Sequence, residues 1–128
     1  MDDASRALAC GREILAEAER WSEERFIAGK PPVSVGIGGH FGEVFAGALG
    51  NDQLLEYTVI GDTVNVAERL ERLSREVESP LVVSVDLLKS AGGNQEEAGW
   101  RKLPTQMLRG HKTPVDAVCL VSNEHPAT

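Results

Sequence analysis

The stretch that most limits what this chain can fold into is Leu55-Glu56-Tyr57-Thr58-Val59-Ile60-Gly61-Asp62-Thr63-Val64-Asn65-Val66-Ala67-Glu68-Arg69-Leu70. Its first six residues, rich in β-branched and aromatic types, predict a short strand. Gly61 breaks it. Asp62 or Thr63 then stands where its side-chain oxygen can cap a helix by accepting an orphaned backbone N–H. In that helix Val66, Ala67, Leu70, Leu73 and Val77 recur at helical spacing and predict the buried stripe. Asn65 and Arg69 lie outside the stripe and four residues apart, so their side chains emerge together, one turn from each other. They sit near the helix N-terminus, where the dipole and free N–H groups favour anions. A neutral amide beside a permanent cation suits a ribose or attacking hydroxyl at the Asn and phosphoryl charge at the Arg. Taken alone, such a pair is more often two solvated helix residues, so the longer string has to decide.

Size and charge narrow the classes. A chain of 128 residues is one domain or part of one, and 41% hydrophobic residues fit a globular chain. A net charge of -7 argues against wrapping nucleic acid or anionic lipid, while leaving room for one basic pocket that takes a triphosphate. No apolar run approaches the roughly 20 residues needed to cross a bilayer, and no signal peptide opens the chain, so a cytoplasmic protein is expected. Cys10 and Cys119 have no metal-like spacing and are expected to be buried free thiols, with one disulfide the open alternative. Aromatic residues make up 5%, too few for base-stacking platforms.

The remaining segments order the fold. Residues 3–28 predict a long amphipathic helix whose apolar stripe is Ala7, Leu8, Cys10, Ile14, Leu15, Ala18 and Trp21. Its acidic residues read as a solvated face, and Gly29-Lys30-Pro31-Pro32 ends it. Val33, Val35 and Ile37 alternate as a strand, and a second strand starts at Glu43. The glycines between them predict a hairpin with positive φ angles. They are not a phosphate loop, because the spacing is not GxGxxG and a strand follows. His40 is expected to be a surface or turn residue. Leu81 to Val85 predict a buried strand, Asp86 to Ala91 a helical turn or two, and Trp100–Leu108 and Val115–Val121 two last strands around a basic turn. Residues 122–128 are expected to be a disordered tail. This order predicts an α+β domain with a mostly antiparallel sheet covered by helices.

The string TVIGDTVNVAERLE closely resembles the signature of class III adenylate/guanylate cyclase catalytic domains, Gly-[Asp/Asn]-Thr-Val-Asn-x-Ala-x-Arg. Gly36, Ile37, Gly42, Val44, Gly47 and Gly50 match a second family segment, and Arg109-Gly110 to Pro114-Val115 a third. The resemblance implies a ferredoxin-like nucleotidyl cyclase fold truncated at its N-terminus, with residues 1–121 as the C-terminal part of the catalytic domain. It implies conversion of ATP to 3′,5′-cyclic AMP and diphosphate, with Asn65 and Arg69 stabilising the transition state. Thr58 takes the position that selects adenine, its hydroxyl accepting from the amino group; a threonine chosen for strand propensity is the alternative. His111 and Lys112, beside Arg109, are implied to reach the triphosphate, against a simple solvated basic turn.

The family's Mg²⁺ or Mn²⁺ ions are held by two aspartates in segments that this sequence does not contain. Asp52, Asp62, Asp86 and Asp116 match neither, so no metal site is expected and the chain alone should be nearly inactive. Family sites form at a dimer interface. The expected partners are therefore ATP, a second copy or other self-association, and the missing N-terminal part of the domain, with no nucleic acid and no membrane. A truncated piece of a longer enzyme or a degenerate partner is expected, and a non-catalytic cyclase-like dimerisation or regulatory module is the alternative.

Overall fold

The computed structural model describes residues 2–43, 45–50, 55–94, 96–107 and 114–121; at 45, 47–50 and 55–60 only the backbone is described. Helix α1 spans Asp3–Ile27, and Asp2 caps it by accepting from the Ser5 backbone N–H at 2.8 Å. Strand β1 (Ile37–Gly39) follows, then β2 (Phe45–Gly50) and β3 (Leu55–Ile60). Helix α2 (Asp62–Glu76) leads to β4 (Leu81–Ser84) and the short helix α3 (Val85–Ser90). Strands β5 (Trp100–Lys102) and β6 (Ala117–Leu120) complete the described elements. The expected tail at 122–128 and the basic turn at 109–113 lie outside the described residues.

Four strands form one sheet in the order β1-β4-β6-β5, with β1 parallel to β4 and the other two pairs antiparallel. All four residues of β4 are buried because helices cover both faces. Leu81 and Val83 point to one side, with Val118, Trp100, Ala4 of α1 and Leu87 and Leu88 of α3. Val82 points to the other, with Ala117, Cys119 and the α2 residues Val66, Leu70 and Leu73. The α2 stripe thus packs as its periodicity predicts. Burying Val66, Leu70 and Leu73 contributes about 2 kcal/mol each.

Strand pairing departs from expectation at β1. It does not fold back on β2; it runs alongside β4, with Ile37 opposite Leu81 and Gly39 opposite Val83. The antiparallel hairpin is formed instead by β2 and β3, which pair from Phe45 with Ile60 to Gly50 with Leu55. Nor do Gly36, Gly38, Gly39 and Gly42 adopt positive φ. They are small because α2 and α3 press on them. A Cβ on Gly38 would lie 2.8 Å from Glu71 Cα, with the Glu71 nitrogen and Ala67 carbonyl nearer still. One on Gly36 would meet Ser74 Oγ at 2.5 Å.

The burial of α1 also differs. Ala4 and Gly11 are buried, and Leu8 and Leu15 pack against the core. Ile14 and Trp21, both placed in the expected stripe, are 46% and 55% exposed. The docked face is instead the one carrying Ala4, Leu8, Gly11 and Leu15, which recur at helical spacing, with Gly11 beside Leu81. Cys10 is exposed rather than buried, Cys119 is buried, and both thiols are free. Arg12 lies 5.6 Å over the Trp100 ring and ties α1 toward β5.

Candidate functional site

The site grows from the junction between β3 and α2. Gly61 has a φ of 140°, which favours glycine, and this lets the chain turn from strand into helix within one residue. Gly61 itself takes the cap position, so Asp62 and Thr63, expected at the cap, stand one and two residues inside the helix. Thr63 is used differently: its hydroxyl donates to the Glu43 carbonyl at 2.6 Å and holds the chain before β2 against α2. The close contact between α2 and Gly38 fixes the helix about its axis. Ala67, Glu71 and Ser74 face β1, and the opposite side carries Asn65, Glu68, Arg69, Arg72 and Glu76.

That opposite side lines a cleft of about 450 Å³, walled by Asp62, Asn65, Val66, Glu68, Arg69, Arg72 and Met107. Asn65 and Arg69 are therefore brought together, as expected. Asn65 is exposed, and its side chain makes no hydrogen bond among the described residues. Arg69 Nη1 donates to Glu76 Oε1 at 3.2 Å, and the two side chains are 36% and 56% exposed. A pair so open to water contributes about 1 kcal/mol or less, so the guanidinium can exchange that partner for a phosphoryl oxygen at little cost. Arg72 and Met107 were not singled out from sequence. Arg72 carried a signal, being seven residues from Asn65 and hence on the same face. Met107 carried none, since it arrives from a distant segment.

The other expected site residues are placed less fully. Thr58 lies on β3 opposite Gly47, on the strand that feeds directly into α2; its side chain is outside the described residues. His111 and Lys112 also lie outside them, a few residues beyond Met107 in the chain. No group of three His, Cys, Asp or Glu side chains comes together among the described residues. Of the cleft's two carboxylates, that of Glu68 is already bonded to Arg72. The described donors do not fit a divalent ion. His40 is half-buried rather than a plain turn residue, its Nδ1 standing 2.8 Å from Ser84 Oγ. No helix among the described residues is long and apolar enough to cross a membrane.

Residues 7–111 match the model of the adenylate and guanylate cyclase catalytic domain family. An uncharacterised protein of Mycobacterium tuberculosis is 40% identical over 108 residues, which is 84% of this chain and 18% of that protein. The chain thus spans about a fifth of the length of such relatives. Among solved structures, the guanylyl cyclase Cya2 superposes with a TM-score of 0.74 at 29% identity, covering 97% of this chain and 61% of its own. The adenylyl cyclase CyaB from P. aeruginosa gives 0.73 at 22% identity, covering 95% and 60%, a likeness of fold. The helix-covered sheet is that of cyclase catalytic domains, in line with the ferredoxin-like expectation.

Proposed function

Because the chain belongs to the adenylate and guanylate cyclase catalytic domain family, we propose that it is part of an enzyme converting ATP to 3′,5′-cyclic AMP and diphosphate. The observation that carries this reading is the placement of Asn65 and Arg69 on the free side of α2, in one cleft with Arg72. In this reading the Asn65 amide hydrogen-bonds the ribose and holds its 3′-hydroxyl toward the α-phosphorus. As the new O–P bond forms, the hydroxyl proton passes to solvent and the bond to diphosphate breaks, Arg69 takes the charge that builds on the phosphoryl oxygens. Thr58 accepts from the adenine amino group at the end of the strand leading into the site, and His111 and Lys112 meet the triphosphate.

Residues 1–121 serve as the C-terminal part of the catalytic domain. The Mg²⁺ or Mn²⁺ ions belong to carboxylates outside this chain, and the working site forms with the rest of the domain and a second copy. By itself the chain has negligible turnover. In the complete domain, Arg69→Ala should lower kcat by about 10²- to 10³-fold, the loss expected on removing one donor to developing charge. Cyclic AMP formation that is unchanged in that variant overturns the role of Arg69. A second reading, a non-catalytic cyclase-like dimerisation or regulatory module, is favoured by the exposed apolar residues Ile14, Trp21, Phe26 and Ile27 of α1. Failure of the complete domain to turn over either ATP or GTP would select it.

A further inference from the structure

Helix α2 brings a second guanidinium into the same cleft. Arg72 stands three residues beyond Arg69 and seven beyond Asn65, so the three side chains form one stripe that rises about 10 Å along the helix. We propose that Arg72 is a further substrate-binding residue, contacting the distal phosphates of a nucleoside triphosphate whose α-phosphate lies at Arg69. This inference rests on the reading of the cleft as a nucleotide site. The order along the helix matches the order along the substrate: amide for ribose, first guanidinium for the reacting phosphate, second for the leaving diphosphate.

The present partner of Arg72 is easily displaced. Its Nη2 bonds Glu68 Oε1 at 2.5 Å, with the two side chains 61% and 57% exposed. Exposed ion pairs of this kind contribute about 1 kcal/mol or less, whereas a guanidinium fork on a phosphate makes two charge-assisted bonds. Glu68 thus keeps the guanidinium within the cleft until a polyphosphate replaces it. The neighbouring Arg75 shows that position, not arginine content, makes the selection. It pairs with Glu71 and does not line the cleft.

Calorimetric titration of the complete catalytic domain, with Mg²⁺ present, against inorganic triphosphate and, separately, a nucleoside 5′-monophosphate tests the assignment. Arg72→Gln should weaken triphosphate binding about tenfold and leave monophosphate binding unchanged. Arg72→Lys should recover part of the loss, because it restores the charge without the fork, and Glu68→Gln should tighten triphosphate binding. Circular dichroism of each variant checks that the fold is kept. If Arg69→Gln weakens both probes while Arg72→Gln changes neither, this inference fails and the nucleotide reading of the cleft stands. Equal losses for both probes in Arg72→Gln overturn the distal placement. If the wild-type complete domain binds neither probe, or Arg69→Gln binds both as wild type does, the nucleotide reading fails and takes this inference with it.

Discussion

At the scale of single residues, Gly38 controls the site from the far side of α2. The helix backbone at Ala67 and Glu71 rests on it, so the angle at which Asn65 and Arg69 leave the helix depends on the missing side chain. Gly38→Ala should destabilise the chain by about 3 kcal/mol in urea unfolding, because backbone lies against backbone and neither can yield. Gly29→Ala supplies the contrast. Gly29 has a φ of 74° in open space, so that substitution should cost only about 1 kcal/mol, from backbone strain alone. Equal losses at the two positions would refute the close-packing account. The glycine-rich segment was visible in the sequence, but its reason was not. Glycine permits both unusual φ angles and close approach, and only the neighbouring helix shows which is in use.

At the scale of elements, Ser84 joins three of them. It is fully buried at the end of β4, its hydroxyl accepts from the Leu87 N–H at 3.1 Å to cap α3, and His40 beyond β1 reaches it at 2.8 Å. Ser84→Ala should cost about 1–2 kcal/mol, read as a lower denaturation midpoint at unchanged slope. The cap of α1 responds to acid. The Ser5 backbone N–H, and then the Ser5 side chain, bond the charged Asp2 carboxylate and hold its pKa below the ordinary value. The support this gives α1 is therefore present above the unfolded carboxylate pKa and fades as pH falls through the lowered one. The Ser5 amide resonance should move over that acid range in the wild type and stay fixed in Asp2→Asn. A wild-type resonance that does not move would show that the cap carries no charge dependence.

At the scale of the whole molecule, two features bear on assembly. One is the cleft, whose wall at Met107 comes from a segment remote from α2. The other is the uncovered face of α1, where Ile14, Trp21, Phe26 and Ile27 remain exposed. So much apolar surface favours self-association, as the proposed working assembly requires. Sedimentation velocity over a tenfold or wider concentration range should show a weight-average mass above that of one chain. Ile14→Asp combined with Trp21→Gln should bring it back to a monomer without lowering the thermal midpoint. A wild-type chain that is monomeric throughout would remove self-association from the proposal.

What the sequence determined by itself is what local periodicity and local chemistry can encode. The two faces of α2, the buried run at Leu81 to Ser84 and the grouping of Asn65 with Arg69 all follow from residues within a few positions of one another. Tertiary structure alone decided which strand β1 would join, which side of α1 would dock and that Met107 would complete the cleft. Each of those depends on surfaces far apart in the chain, such as Ile37 against Leu81, and on how closely a helix can approach bare backbone. Spacing along a sequence holds no record of such distances, because they exist only once the layers have been stacked.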